Sequence, residues 1–207
     1  MKRNTVVSVL MIPLGLLSAC GGPSLDETFE SIRAPIAAAD TVSLTAEVTA
    51  RYPDRTDSYT LTCSGRKDDW TLTVLAPEEI AGITATISGK ESTLAYSGAV
   101  LAAGDLTDSG ISPIRVLPVV AETLADGYID SLWTEDGCLT AKLIYDDTVA
   151  ATIWFDEANT PKAAELSENV SVRAACAIES FTMEGPTTNG RTEETDLGGD
   201  QPGESGT

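Results

Sequence analysis

Histidine is absent from this 207-residue chain, which removes at once the commonest general base and the commonest transition-metal ligand. Positive charge is scarce: 13 Lys and Arg stand against 32 Asp and Glu, a formal charge of −19. Such a surface repels DNA and RNA, so no nucleic-acid partner is expected. Aromatic residues make up only 5%. After the first twenty residues no long apolar run follows, so nothing beyond them reads as a membrane span. Cysteine is limited to Cys20, Cys63, Cys138 and Cys176, with no C-x-x-C spacing, and a zinc site is discarded. These absences disfavour most enzyme classes; no catalytic residue, metal or cofactor is expected.

What is present begins with a leader. Lys2 and Arg3 precede a stretch from Thr5 to Ala19 that carries no charge, the layout of a secretory signal. It is shorter than the ~20 apolar residues a transmembrane helix needs. It closes on Leu17-Ser18-Ala19-Cys20, which resembles the lipobox of bacterial lipoproteins. The resemblance implies a signal peptide over 1–19, a diacylglyceryl group on the Cys20 thiol, and cleavage that makes Cys20 the N-terminus of a short tether, 20–23. Acyl chains contribute about 0.8 kcal/mol per buried CH₂, so two or three hold a protein on a leaflet. The expected location is extracytoplasmic, anchored to the bacterial cell membrane, or to the outer membrane of a Gram-negative cell. Gly21 is not the aspartate that commonly retains such proteins at the inner membrane. With Cys20 given to lipid, three cysteines remain and at most one disulfide can form. Cys63 and Cys176 fall in phase with apolar neighbours and read as small buried hydrophobes.

The mature chain starts with Ser24-Leu25-Asp26-Glu27, the S-x-x-E form of a helix capping box, followed by Phe29, Ile32, Arg33 and Ile36 at near-helical spacing. A helix is expected there, disturbed near Pro35. From Val42 the period becomes two: Val42, Leu44, Ala46 and Val48 alternate with polar residues, as in a half-buried strand. Similar strands follow at Tyr59-Leu61-Cys63, Trp70-Leu72-Val74, Ile83-Ala85-Ile87 and Leu94-Tyr96, close enough for an antiparallel meander. Ser112-Pro113 opens a helix with Ile114, Leu117, Ala121 and Leu124 on one face; Pro118 should kink or restart it, and Gly127 suits a left-handed C-terminal position. Strands resume at Tyr128 to Trp133, Leu139 to Tyr145, Val149 to Phe155 and Val170 to Ile178, with hairpin turns at Asp136-Gly137 and Asp146-Asp147. Residues 24–183 make one domain; 184–207, nearly free of apolar residues, read as a disordered acidic tail.

Chemical motifs fare poorly. Ser64-Gly65-Arg66-Lys67 matches S-x-x-K, but falls in a hairpin turn and lacks companion motifs. Ser88-Gly89-Lys90 resembles the end of a P-loop, yet no helix follows. Asp68-Asp69 and Asp146-Asp147 lack the alternating ligands of a calcium loop. Trp70 is in the apolar phase of its strand and Trp133 reads as core. Trp154 is in the opposite phase from Ile153 and Phe155, hence exposed or covered from outside.

A helix, a long meander, a helical insertion and further strands, on a chain with a lipobox, resemble the LolA/LolB-type half-barrel of lipoprotein carriers, RseB-type sensors and mycobacterial lipid-binding lipoproteins. The stretches that carry this are "ATIWFDEANTPKAAEL", 151–166, and "LAPEEIAGITATISGKESTLAYSG", 75–98. The resemblance implies an α+β fold: a strongly curved antiparallel sheet with helices over its concave face. It also implies an apolar ligand, a lipid, acyl chain or lipidated protein, in a concave cavity. On the strands its walls would be Leu44, Val48, Leu61, Leu72, Val74, Ile83, Ile87 and Tyr96; Ile114, Leu117 and Leu124 would form a lid. The alternative is a sensing or interaction module on the same fold, its core filled by its own helices and its surface turned to an envelope protein partner.

Overall fold

Ser24 starts the first helix by the capping box that the sequence announces: its hydroxyl accepts from the Glu27 N–H at 3.1 Å, and Glu27 accepts from the Ser24 N–H at 2.9 Å. The computed structural model describes residues 22–105 and 111–185. The leader, Cys20 and residues 186–207 of the tail lie outside the described residues. Helix α1 (Leu25–Ala38) leads to strands β1 (Thr41–Arg51), β2 (Thr56–Arg66), β3 (Asp69–Ala76), β4 (Thr84–Ser88), β5 (Glu91–Tyr96) and β6 (Ala99–Ala102). Helix α2 (Pro113–Asp126) then precedes β7 (Tyr128–Glu135), β8 (Cys138–Ile144), β9 (Val149–Phe155), β10 (Pro161–Glu168) and β11 (Ser171–Glu184).

All eleven strands join one open sheet in the order β6-β5-β4-β3-β2-β1-β11-β10-β9-β8-β7, and every pairing is antiparallel. The alternation in β1 does what a period of two requires, burying Val42, Leu44, Ala46, Val48 and Ala50 on one face. Register carries that face across the sheet: Leu44 opposes Cys63, which opposes Leu72, which opposes Ala85. On the far side Val48 opposes Cys176, followed by Ala164, Ile153 and Ala141. The other face is wet, with hydroxyl pairs such as Thr45 and Thr62, 3.1 Å apart.

Both helices pack on the apolar side. Phe29 of α1 meets Phe155 edge to face, ring centroids 6.2 Å apart. From α2, Val116, Leu117, Val119, Val120, Ala121 and Leu124 are buried, each large one contributing about 2 kcal/mol of hydrophobic stabilisation. The result is the α+β half-barrel, a curved unclosed sheet with its concave face covered by helices.

Neither proline interrupts its helix as the sequence suggests. Pro35 lies inside α1 and Pro118 inside α2, both continuous, because tertiary burial of Ile36 on one and of nearly the whole of the other outweighs one lost backbone bond. Neither helix has a basic residue in its last turn, and arginines from elsewhere serve instead. Arg66 donates to the carbonyls of Ala37 and Ala39, and Arg33 to those of Leu124 and Gly127 at 3.1 and 2.6 Å. These cations meet the negative end of each helix dipole. Gly127 is not left-handed, with φ −61°. It is required by proximity, since a Cβ there would lie 2.5 Å from the Thr123 carbonyl oxygen.

Two turns decide registers. Asp136 and Gly137 both have positive φ, 50° and 83°, as a two-residue hairpin demands. Val170, expected to open the last strand, is a turn residue instead, with φ 63° and full exposure. A β-branched side chain is costly in that region. Val170→Gly is therefore expected to stabilise the domain by about 1 kcal/mol, read as a raised denaturation midpoint with unchanged slope.

Cys63 and Cys176 are buried free thiols, and burial pushes both up to about 12. Cys138 is partly exposed. In native protein, iodoacetamide is expected to modify Cys138 and spare the other two, which react only after unfolding; peptide mass mapping reads the difference.

Candidate functional site

The residues expected to wall a concave cavity are the packed core. Leu44, Leu61 and Leu72 are 1% exposed, and Val48, Leu117 and Leu124 are wholly buried; Val74 and Ile87 join them, with Ile83 and Ile114 partly buried against the same cluster. Tyr96 is the exception: it is 48% exposed near the β6 edge and belongs to no cavity wall with the others. The space lined by Ile36, Val42, Trp70 and Ala121 beneath the helices measures about 30 Å³, room for a water and far below the several hundred Å³ of a lipid pocket. Among the described residues α1 and α2 pack on the concave face, with Leu117 and Leu124 inside the core and Ile114 partly buried against it.

Larger depressions among the described residues also border the helices. The first is a polar cleft of about 320 Å³, lined by Lys67, Asp68, Glu122, Asp126, Gly127 and Tyr145. It adjoins a space of about 80 Å³ that also reaches Trp70 and Arg115. Glu122 is the centre: its carboxylate accepts from the Trp70 indole N–H at 2.6 Å and from the Tyr145 hydroxyl at 2.8 Å. Arg115 donates in turn to the Tyr145 oxygen at 3.3 Å. Burial raises the Glu122 carboxyl above the usual carboxylate range, opposed by those two hydrogen bonds and by Arg115. Burial together with the Glu122 charge pushes the Tyr145 hydroxyl up to about 12, so it stays a donor at any ordinary pH. The group forms a fixed polar plug at the mouth of an apolar fold.

The sign of the Glu122 effect sets a pH dependence. A carboxyl whose folded pKa is raised binds its proton more tightly when folded, so its contribution is complete below the unfolded pKa and is lost as pH rises through the folded one. Glu122→Gln removes this, and the stability of the wild type relative to the variant is expected to fall as pH rises above the ordinary carboxylate range. Denaturant titrations within and above that range check it.

The second depression is a groove of about 400 Å³ along the outer flank of α1, lined by Ser31, Ile32, Pro35 and Ile36, by Ala158 to Pro161 of the β9–β10 turn, and by Phe181 and Met183 at the end of β11. No lining residue is charged, in a chain with 32 acidic residues.

The rejected motifs stay structural. Ser64 and Lys67 sit at the β2–β3 hairpin and not on successive turns of a helix, and Asp146 closes its turn by accepting from the Thr148 and Val149 N–H groups at 2.8 Å. Trp70 is core, 3% exposed; Trp133 is half-buried. Trp154, on the outer face, donates to Glu135 at 2.8 Å. Among the described residues no group of three or more acidic or cysteine side chains is placed to hold a metal, and no helix is long and apolar enough to cross a membrane.

No family model and no curated protein matches the chain. Among solved structures it is similar to half-barrel proteins of the LolA type, at low identity. A LolA superfamily protein from Nitrosomonas europaea is 9% identical with a TM-score of 0.44, over 75% of this chain and 93% of that one. A lipoprotein-sorting protein domain from Vibrio parahaemolyticus is 8% identical with a TM-score of 0.39, over 82% and 93%. The lipoprotein LppX of Mycobacterium tuberculosis is 12% identical with a TM-score of 0.34, over 74% and 93%.

Proposed function

We propose that the protein is a non-catalytic, extracytoplasmic lipoprotein, held on its membrane through Cys20, whose half-barrel serves as an interaction module for an envelope protein partner. The observation that supports this reading is the packing of α1 and α2 on the concave face, where their side chains join those of the strands in one buried core among the described residues. The polar cleft at Glu122 supplies what a partner's polar side chains would meet. Its donors and acceptors are held in fixed positions, which lowers the cost of ordering them on binding.

Native mass spectrometry of the chain extracted from its host membrane tests the proposal. The expected mass is that of the chain with its covalent lipid and no other small molecule, while a photo-crosslinker placed at Asp68 captures one defined protein in the cell. A stoichiometric non-covalent lipid, or the absence of any protein adduct from Asp68, overturns it.

One observation favours a second reading, in which an apolar ligand is bound: the uncharged groove along α1. It would move such a ligand from the concave face to the outer flank of the helix.

A further inference from the structure

We propose that the groove along α1 is the docking site of an acyl chain carried by Cys20 of the same molecule, so that the protein shelters part of its own anchor. The inference rests on the lipoprotein reading of Cys20. It departs from the expected concave site in both place and occupant.

The groove suits an alkyl chain. Ile32, Pro35, Phe181 and Met183 present apolar surface, and the remaining polar lining, Ser31, Asn159 and Thr160, is neutral. Met183 is 42% exposed at the open side; an unbranched thioether adapts to irregular apolar ligands better than a branched side chain does. Burying an alkyl chain there gains about 25 cal/mol for each Å² of apolar surface removed from water.

Chain length selects the occupant. Only Gly21, Gly22 and Pro23 separate Cys20 from Ser24, a span of at most about 14 Å. Ser31, the first groove residue, lies seven positions into the helix from Ser24, about 10 Å along the axis. The tether therefore brings the Cys20 thiol within reach of the groove, and two consecutive glycines let the chain turn back along α1. Leu25, 37% exposed in the first turn, precedes Ile32 by seven residues and so shares its side of the helix. An exposed apolar step thus lies between tether and groove.

The test uses the full chain, lipidated in a bacterial host fed a photo-activatable fatty acid, purified in detergent and irradiated at high dilution. Digestion and mass spectrometry are expected to join the Cys20 peptide to the peptides containing Ile32 or Met183 of the same molecule. The double variant Ser31→Glu, Met183→Glu alters two exposed positions and places charge in the groove, which should reduce these crosslinks about tenfold with the melting curve unchanged. A lipidated Cys20 whose crosslinks go to detergent or scatter over the surface overturns the docking and leaves the lipoprotein reading standing. An N-terminal peptide without lipid mass overturns both. If unlipidated Cys20→Ala protein takes up the same labelled fatty acid from vesicles into the groove as readily as the wild type holds its own, the groove is a site for membrane lipid and the assignment to Cys20 is overturned.

Discussion

Leu117→Asp is expected to abolish the folded half-barrel. Leu117 is fully buried where α2 covers the inner face, and a carboxylate placed there without partners costs several kcal/mol. A domain of this size has only about 5–15 kcal/mol to lose. Circular dichroism should show no cooperative melting transition, whereas Leu117→Met, which conserves volume, should cost less than about 1.5 kcal/mol. The pair of variants also decides between the two pictures of the concave face. In a hydrated ligand cavity an aspartate would find water and be tolerated, so a folded Leu117→Asp protein would restore the carrier reading.

Gly65→Val should be nearly as damaging, for a steric reason. A Cβ on Gly65 would lie 2.1 Å from the Asp69 carbonyl oxygen and 2.8 Å from the Trp70 Cα. Both are backbone atoms of the strand that Gly65 pairs with, so no side-chain rotation relieves the contact. The β2–β3 hairpin must open, at a cost of about 3 kcal/mol or more, and Trp70 withdraws from Glu122. Loss of denaturant stability with a red-shifted tryptophan emission is the expected signature; retention of the wild-type spectrum and midpoint would contradict it.

Most strands and helices were legible where one face is buried and the other wet, because burial then prints a period into the chain, whereas β10, with Pro161, Ala164 and Leu166 buried at uneven spacing, was not read from periodicity. β1, with its strict alternation, is the clearest case. β6 was not legible: Ala99 to Ala102 is exposed on both faces, so no alternation exists, and only the Ser97-Gly98 turn before it signals a hairpin. The end of β11 was also missed, since Phe181 and Met183 extend it for pairing with the first residues of β1, a contact no local pattern records. The candidate cavity residues were legible as one apolar face, but what covers that face was not, because the same one-sided apolarity serves a ligand and a covering helix equally. Glu122 left a faint signal, a lone acid in the middle of Val-Val-Ala-Glu-Thr-Leu-Ala, in a helix buried almost all round. Its partners Trp70 and Tyr145 come from distant strands and could not be read from spacing.

The strand order has a consequence for how the sheet can be assembled as the chain emerges. The first six strands are laid outward from β1 and the last five inward to β11, so that the earliest and latest strands meet in the middle of the sheet. A chain that emerges N-terminus first delivers β1 long before its neighbour on that side exists. Until β11 arrives, β1 presents a free edge of backbone donors and acceptors beside an uncovered apolar face, the arrangement most prone to pairing with other chains. Loop closure over nearly the whole domain must precede that final pairing, which slows it. Completion of the sheet is thereby tied to arrival of its last strand, and a chain that stops short of Ser171 remains open to chaperones and proteases rather than forming a smaller version of the same fold.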